Sequence, residues 1–336
     1  MKNVCLGFVG LGYISQTVHI PCFFKNKSAK IIAICDHNKD ILSSVSSKYG
    51  ITKTYTSLSK MIRNEVLDAI VLVVQRPNTF SVSRKILKSN INLFVEKPMA
   101  LKLKDAKELV KIQNKKNLKY VIGYMKRSDD AVNYLKKNYL SNFFGKLISV
   151  KYHSFIGRPK PLRNDFIKHK NITRWKKYSL NKKFLNKKKN FEKYLNIQCH
   201  SINLLRYLFG KIKLKKTLLS KYAEGSVFFE TKNKVIIKLE NRFLVNRTWD
   251  EYIELKFINY HIKLILQNPF NPKSYSKIII YNNKNKRQKI RIFKKWSFLN
   301  QSKNFINYIR EKNSKILSSG KESLRDIELV EKIFKY

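Results

Sequence analysis

Val4-Cys5-Leu6-Gly7-Phe8-Val9-Gly10-Leu11-Gly12-Tyr13-Ile14-Ser15 opens the chain with an apolar run that passes directly into a glycine turn. The run shows no polar alternation, so residues 4–9 are predicted to form a strand buried on both faces, and a helix is predicted over 14–24. A G-x-G-x-x-G pattern gains meaning only between a strand and a helix, and that is its setting here. Gly10 permits the tight turn. Gly12 lets the backbone approach a pyrophosphate seated on the helix N-terminus, where Tyr13 and Ile14 begin the first turn. Ser15 takes the place of the third glycine, where a small residue keeps helix and strand close.

Working outward, the second apolar run, 31–35, ends at Asp36, 24 residues beyond Gly12. A carboxylate there accepts hydrogen bonds from an adenosine ribose and repels a 2′-phosphate, so the expected cofactor is NAD, with NADP less favoured. Lys39 nearby would soften that preference. Further strands are predicted over 69–74, 93–95 and 120–123, with helices over 39–48, 82–88 and 103–115. This alternation is that of a parallel sheet covered by helices. After about residue 125 the texture changes. An amphipathic stretch runs to 139, a strand is predicted over 147–153, and a polar, lysine-rich region extends to 193. A helix over 197–208 carries Ile197, Ile202, Leu204, Leu205 and Leu208 at helical spacing, with Gly210 placed to end it. Strands over 226–239, 252–257, 261–266, 277–281 and 288–293 read as an antiparallel meander with an Asn-rich turn over 281–286, and a last helix covers 323–334. The fold class is therefore α/β: an N-terminal Rossmann domain with a doubly wound parallel sheet over 1–123, then an α+β domain over 124–336 with a largely antiparallel open sheet. The C-terminal helix is a candidate to pack back on the first domain.

Composition limits the rest. With 43% hydrophobic and 12% aromatic residues, the 336-residue chain has apolar material for two cores, which excludes a disordered chain. The formal net charge of +49 would suit nucleic acid or an anionic membrane. Yet the lysines are scattered beside abundant Asn, Ile, Tyr and Phe, the pattern of an A/T-biased coding sequence. The densest basic stretch, 176–189, holds Tyr178 and Phe184 without a binding motif, so no specific nucleic-acid partner is expected. Cys5, Cys22, Cys35 and Cys199 stand far apart, which implies neither zinc nor disulfides, and a metal-free protein of a reducing cytoplasm is expected. The apolar start is broken by Gly10, Gly12, Ser15 and Gln16 and lacks a cleavage site, and no apolar run approaches the ~18 residues that cross a bilayer. A soluble chain follows.

Taken in order, these motifs resemble those of the glucose-fructose oxidoreductase / inositol dehydrogenase (Gfo/Idh/MocA) family over nearly the whole chain. The glycine turn runs into Val18-His19-Ile20-Pro21, and Arg76-Pro77-Asn78 follows the third predicted run, where the family has a nicotinamide-side loop. Glu96-Lys97-Pro98 follows the next strand as the family's most recognisable tripeptide. Gly123-Tyr124-Met125-Lys126-Arg127 resembles the exit from the Rossmann domain, and His200-Ser201-Ile202-Asn203-Leu204-Leu205-Arg206-Tyr207 resembles the catalytic helix. Gly320-Lys321-Glu322-Ser323-Leu324-Arg325 is similar to the start of the final helix.

The resemblance implies hydride transfer between NAD and a hydroxyl or keto carbon of a sugar, cyclitol or nucleotide sugar. Arg76, Pro77, Asn78 and Glu96 would join Gly10, Gly12, Tyr13, Ile14, Ser15 and Asp36 around the cofactor. Lys97 has its own case, because a lysine at the carboxyl end of a strand in a doubly wound sheet points into the ligand crevice, where it polarises an oxygen. His200 is the proton acceptor the reaction needs, since imidazole titrates near neutrality. Tyr124, Lys126, Arg127, Asn196 and Asn203 are the candidate substrate contacts. The departures are Asn196 and Asn203, where the family often has Asp, and Ser81, where His is frequent; an amide binds a hydroxyl but lends no charge. The resemblance also implies a homo-oligomer, dimer or tetramer. Rival readings are another reaction on the same scaffold, such as dihydrodiol or biliverdin-type reduction or NAD-assisted elimination, and a non-catalytic dinucleotide sensor or RNA-binding protein.

Overall fold

A computed structural model describes residues 3–157, 187–244, 248–282, 287–311 and 318–335, which form two compact units. Among the described residues, the first comprises those up to 124 with 298–327, and the second 125–157, 187–297 and the last few of the chain.

In the first unit six parallel strands take the order β3-β2-β1-β4-β5-β6. They are β1 (Val4–Val9), β2 (Ala29–Cys35), β3 (Lys53–Tyr55), β4 (Ala69–Leu72), β5 (Asn92–Val95) and β6 (Tyr120–Ile122). Both neighbours of β1 are parallel to it, and the chain leaves β1 toward β2 on one side and reaches β4 on the other. That reversal opens a crevice beyond the carboxyl ends of β1 and β4, where doubly wound sheets bind ligands. Helices α1 (Ile20–Phe24), α2 (Lys39–Tyr49), α3 (Leu58–Asn64), α4 (Arg76–Lys88) and α5 (Leu103–Lys116) connect the strands. Leu6, Phe8, Ile34, Val71 and Phe94 are fully buried, together with Phe305 and Ile306 of the later helix α8 (Ser297–Arg310).

Two differences from the sequence expectation have local causes. The helix predicted over 14–24 begins as a π-helical turn, Ser15–His19, before α1. Pro21 has no N–H to give to the carbonyl four residues back, so the turn before it widens and Ile20 donates to the Ser15 carbonyl five residues back. The short edge strand β3 carries two exposed residues and one half-buried one, too little apolar signal to be read.

The second unit is built on eight strands in the order β14-β13-β12-β11-β7-β10-β9-β8. These are β7 (Leu147–Ile156), β8 (Ile212–Leu219), β9 (Gly225–Thr231), β10 (Ile236–Phe243), β11 (Trp249–Phe257), β12 (Tyr260–Ile265), β13 (Ser276–Asn282) and β14 (Arg287–Phe293). Every pair is antiparallel except β7 with β10. The single strand expected over 226–239 is a hairpin, β9 and β10, turned where Lys234 adopts a positive φ and Thr231 and Val235 close the loop. β8 was not anticipated; only Ile212 and Leu214 of its lysine-rich run are buried, and a bulge follows Leu214. Helix α6 (Asp130–Leu140) and the 23-residue α7 (Lys187–Phe209) accompany the sheet, and α9 (Gly320–Lys335) closes the chain. α7 begins well before the predicted 197. Most of the basic stretch 176–189 and of the turn over 281–286 lies outside the described residues. Among the described residues, no helix is long and apolar enough to cross a membrane, and no cluster of His, Cys, Asp and Glu could hold a metal.

Candidate active site

Side chains fasten the glycine turn and leave it open at Gly12. Gly10 has φ +84°, and a Cβ there would come within 2.3 Å of the Val73 carbonyl oxygen, so only glycine fits beside β4. A Cβ at Gly12 would meet nothing within 4 Å. That open space is the room a pyrophosphate needs to approach the backbone. Asp36, only 9% exposed, accepts the Leu11 N–H on Oδ2 at 2.7 Å and the Asn38 N–H on Oδ1 at 3.0 Å. Its carboxylate thus locks the middle of the turn to the end of β2. Gln16 Nε2 donates to the Leu11 carbonyl at 2.7 Å, and Thr17 Oγ1 donates to that of Tyr13 at 2.8 Å. Tyr13 is half-buried and Ile14 joins it at the start of the π turn, within which Ser15 is fully enclosed. The arrangement fits a dinucleotide: a rigid turn, an open glycine and a fixed carboxylate at its edge.

Arg76-Pro77-Asn78 is the first turn of α4 instead of a loop, with Pro77 at a position where its missing N–H costs nothing. Ser81, exposed on the next turn, donates to the Asn78 carbonyl. Glu96 and Lys97 follow β5 at the carboxyl edge of the sheet, and both are half-buried. The Glu96 carboxylate is held from two sides. Its Oε1 lies 2.7 Å from His19 Nε2, and its Oε2 accepts the Lys97 N–H at 3.1 Å. His19 is 2% exposed and sits edge-on between Phe94 and Phe298 at 5.4 and 5.7 Å. A Cβ at Gly123 would lie 3.0 Å from Glu96 Oε1, so glycine leaves room for that carboxylate. The backbone of Lys97 is therefore anchored through Glu96 to the turn that follows the glycine loop. Tyr124, next to Gly123, is buried.

In the second unit the candidate contacts draw on one another. Lys126 reaches inward from a short 3-10 turn, Met125–Ser128, and its ammonium pairs with Glu251 of β11. The hydroxyl of Tyr152 on β7 donates to the same Glu251 oxygen at 2.7 Å, and Trp249 Nε1 donates to the other at 3.1 Å. All members of the cluster except Trp249 are buried, and burial followed by the Glu251 charge raises Tyr152 well above the ordinary phenol range. Arg127, also buried, donates from Nε to Asn203 Oδ1 at 2.6 Å and lies over the Tyr207 ring. On α7, Lys193, Asn196, Ile197 and His200 are half-buried while Tyr194, Leu195, Gln198 and Cys199 are buried. One accessible stripe therefore runs along the helix and carries His200 and Asn196, with Asn203 continuing it into the interior.

Sequence reasoning missed Glu251, Tyr152 and the partnership of His19 with Glu96. For Glu251 the signal was present: it shares the period-two face of Ile253, Leu255 and Phe257, all buried. A carboxylate on the apolar face of a strand requires a cationic partner. The His19 pair joins residues 77 positions apart and depends on the π turn, which no local pattern announces.

Known proteins resemble this chain in the sequence of its first unit and in fold. The family model described as the oxidoreductase family, NAD-binding Rossmann fold, matches residues 4–124. Oxidoreductase P35 of Formosa agariphila is 22% identical over 43% of this chain and 45% of its own length. Myo-inositol 2-dehydrogenase of Thermotoga maritima is 25% identical over 67% of this chain and 59% of its own. The chain thus spans about half the length of these curated relatives. KijD10, a 3-ketoreductase of Actinomadura kijaniata solved with NADP and TDP-benzene, shares the fold with a TM-score of 0.77 at 13% identity, covering 99% of this chain and 97% of that one.

Proposed function

We propose that this chain, whose residues 4–124 match the NAD-binding Rossmann model of the Gfo/Idh/MocA oxidoreductase family, transfers hydride between NAD and a hydroxyl or keto carbon of a sugar, cyclitol or nucleotide sugar. The observation that carries this reading is the glycine turn, open at Gly12 and fastened by Asp36 through the Leu11 N–H. A nicotinamide, when bound, supplies the hydride acceptor for a carbinol carbon. The chain's own residues do the rest. His200 accepts the hydroxyl proton as the hydride leaves, and Lys97 polarises the reacting oxygen. Glu96, fixed by His19, positions the Lys97 backbone. Asn196, on the same accessible stripe as His200, is a hydrogen-bond partner for a second substrate hydroxyl. Asp36 favours NAD over NADP because its charge lies at the edge of the turn that receives the adenosine ribose.

Four unbridged cysteines support a reducing, cytoplasmic setting, with burial pushing the Cys22 and Cys35 thiols up to about 12 and about 11. Self-association through the accessible face of the eight-stranded sheet is the assembly favoured by analogy. The test is a thermal shift followed by a substrate survey. NADH should raise Tm more than NADPH does, because a ligand that binds only the folded state stabilises it by mass action. Sugars and cyclitols are then screened for NADH formation. Equal stabilisation by NADPH would sink the cofactor choice, and no shift with either nucleotide would sink the reading.

A further inference from the structure

Among the described residues, burial disfavours the charged form of two lysines, Lys119 and Lys193. The first is explained. Lys119 donates to the carbonyls of Tyr308, Ile309 and Glu311, capping the last turn of α8, where the helix dipole also favours a cation. Lys193 has no such sink. It is half-buried on α7, its ammonium lies 3.8 Å from the centroid of the Phe243 ring, and no described residue accepts a hydrogen bond from it or pairs with it. The carboxylate that attracts it, Glu224, accepts the Phe243 N–H on Oε1 at 3.2 Å. A lysine that merely covered an aromatic ring would keep its head in water, with its charge undisturbed. Among the described residues, this half-buried ammonium has a π face beneath it and the field of Glu224 but no hydrogen-bond acceptor, so its N–H donors are left for a ligand.

Position supplies the rest. Lys193 precedes His200 by seven residues, two helical turns, so the two share a helix face about 10 Å apart along the axis. Asn196 and Ile197 lie between them, and these four are the accessible positions of that stretch of α7. We propose that Lys193 forms the anion-binding end of a substrate subsite along this stripe, taking the phosphate of a sugar phosphate or nucleotide sugar whose reacting carbinol lies at His200. This rests on the reading of the chain as a sugar-type dehydrogenase and narrows it to phosphorylated substrates. A uronate carboxylate is attached directly to the ring that carries the carbinol. A phosphate ester or diphosphate reaches further, as a separation of two turns requires. With 71 Lys and Arg against 22 Asp and Glu, the whole chain also draws anions toward its surface.

The test compares wild type with Lys193→Met, which keeps an apolar stem over Phe243 and removes the charge; Lys193→Gln serves if the Met variant does not fold. With NADH present, calorimetry measures binding of D-glucose 6-phosphate, UDP-glucose, D-glucose and D-glucuronate. Wild type should bind at least one phosphorylated ligand about tenfold or more tightly than D-glucose, and the variant should lose that tenfold, about 1.4 kcal/mol, with NADH affinity unchanged. The inference is overturned if the variant keeps the preference, if D-glucuronate matches the phosphorylated ligands, or if wild type binds NADH but favours none of them. A wild-type chain that binds no NADH brings down the dehydrogenase reading and this inference with it.

Discussion

The glycine turn and α7 use polar side chains in opposite ways. Around the turn, side chains grip backbone: Asp36 holds Leu11 and Asn38, Gln16 and Thr17 hold the carbonyls of Leu11 and Tyr13, and Glu96 holds Lys97. Around α7 and its sheet, side chains grip one another: Lys126 with Glu251 and Tyr152, Arg127 with Asn203, Tyr207 with Asn133. The first arrangement fixes the path of a loop, which suits an invariant ligand such as a dinucleotide. The second fixes functional side chains on a scaffold and leaves one stripe of the helix accessible. The difference is testable, because backbone grips and side-chain grips fail differently when one partner is removed.

The largest effect is expected where charge is buried deepest. Glu251 is 2% exposed, and Glu251→Leu would strand the Lys126 ammonium in the interior, costing about 3–5 kcal/mol of stability or preventing folding. The paired change Lys126→Met with Glu251→Leu should recover most of that loss, because well-packed apolar groups replace both charges. Urea unfolding of the single and double variants measures it. If the single variant loses less than about 1 kcal/mol, as a solvated pair would, the side-chain grip is not what holds the second unit together.

Next in size are the residues assigned to chemistry. Lys97→Ala and His200→Ala should each lower turnover by about a hundredfold or more, as general acid-base help is typically worth, while NADH affinity stays near that of wild type. Both side chains are half-buried and neither belongs to the Glu251 cluster, so Tm should move little. Turnover retained in either variant removes that residue from the mechanism. Lost NADH binding in the Lys97 variant would instead show that the loop after β5 supports the cofactor.

How much of this could be read in the sequence follows the same division. Most strands of the first unit, the edge strand β3 excepted, carry unbroken apolar runs, and β1 appears with the bounds read from Val4 to Val9. The place of Asp36 beside the turn was legible because it ends the second apolar run at a fixed distance from the glycines, and its carboxylate does accept the Leu11 N–H. Helix α8 was not read: three asparagines dilute its helical signal, although Phe298, Phe305 and Ile306 give it a buried face. In the second unit, β8 and the β9–β10 hairpin were obscured because Lys and Asn occupy both exposed strand positions and turns. The ring of Phe243 beneath Lys193 joins residues 50 positions apart, and only the folded sheet brings them together.

The smallest effect separates the two tasks of Asp36. Its carboxylate accepts the Leu11 and Asn38 N–H groups and also sets a negative charge at the edge of the turn. Asp36→Asn keeps one acceptor oxygen but removes the charge; Asp36→Ser shortens the side chain and removes both. If charge alone excludes the 2′-phosphate, both variants should narrow the preference for NADH over NADPH by about tenfold, or 1.4 kcal/mol. If the grip on the backbone also matters, Asp36→Ser should lose Tm and affinity for both nucleotides, by the ~1.5–3 kcal/mol of a hydrogen bond to a charged group, while Asp36→Asn loses less. Paired titrations with NADH and NADPH give the ratio, and thermal melts of the free proteins give the loop's share. Unchanged discrimination in Asp36→Asn would mean that the backbone of the turn, and not the carboxylate, selects the cofactor. The contrast between the two units would then be sharper still, with the side chains of the first unit serving only to hold the main chain that selects the cofactor.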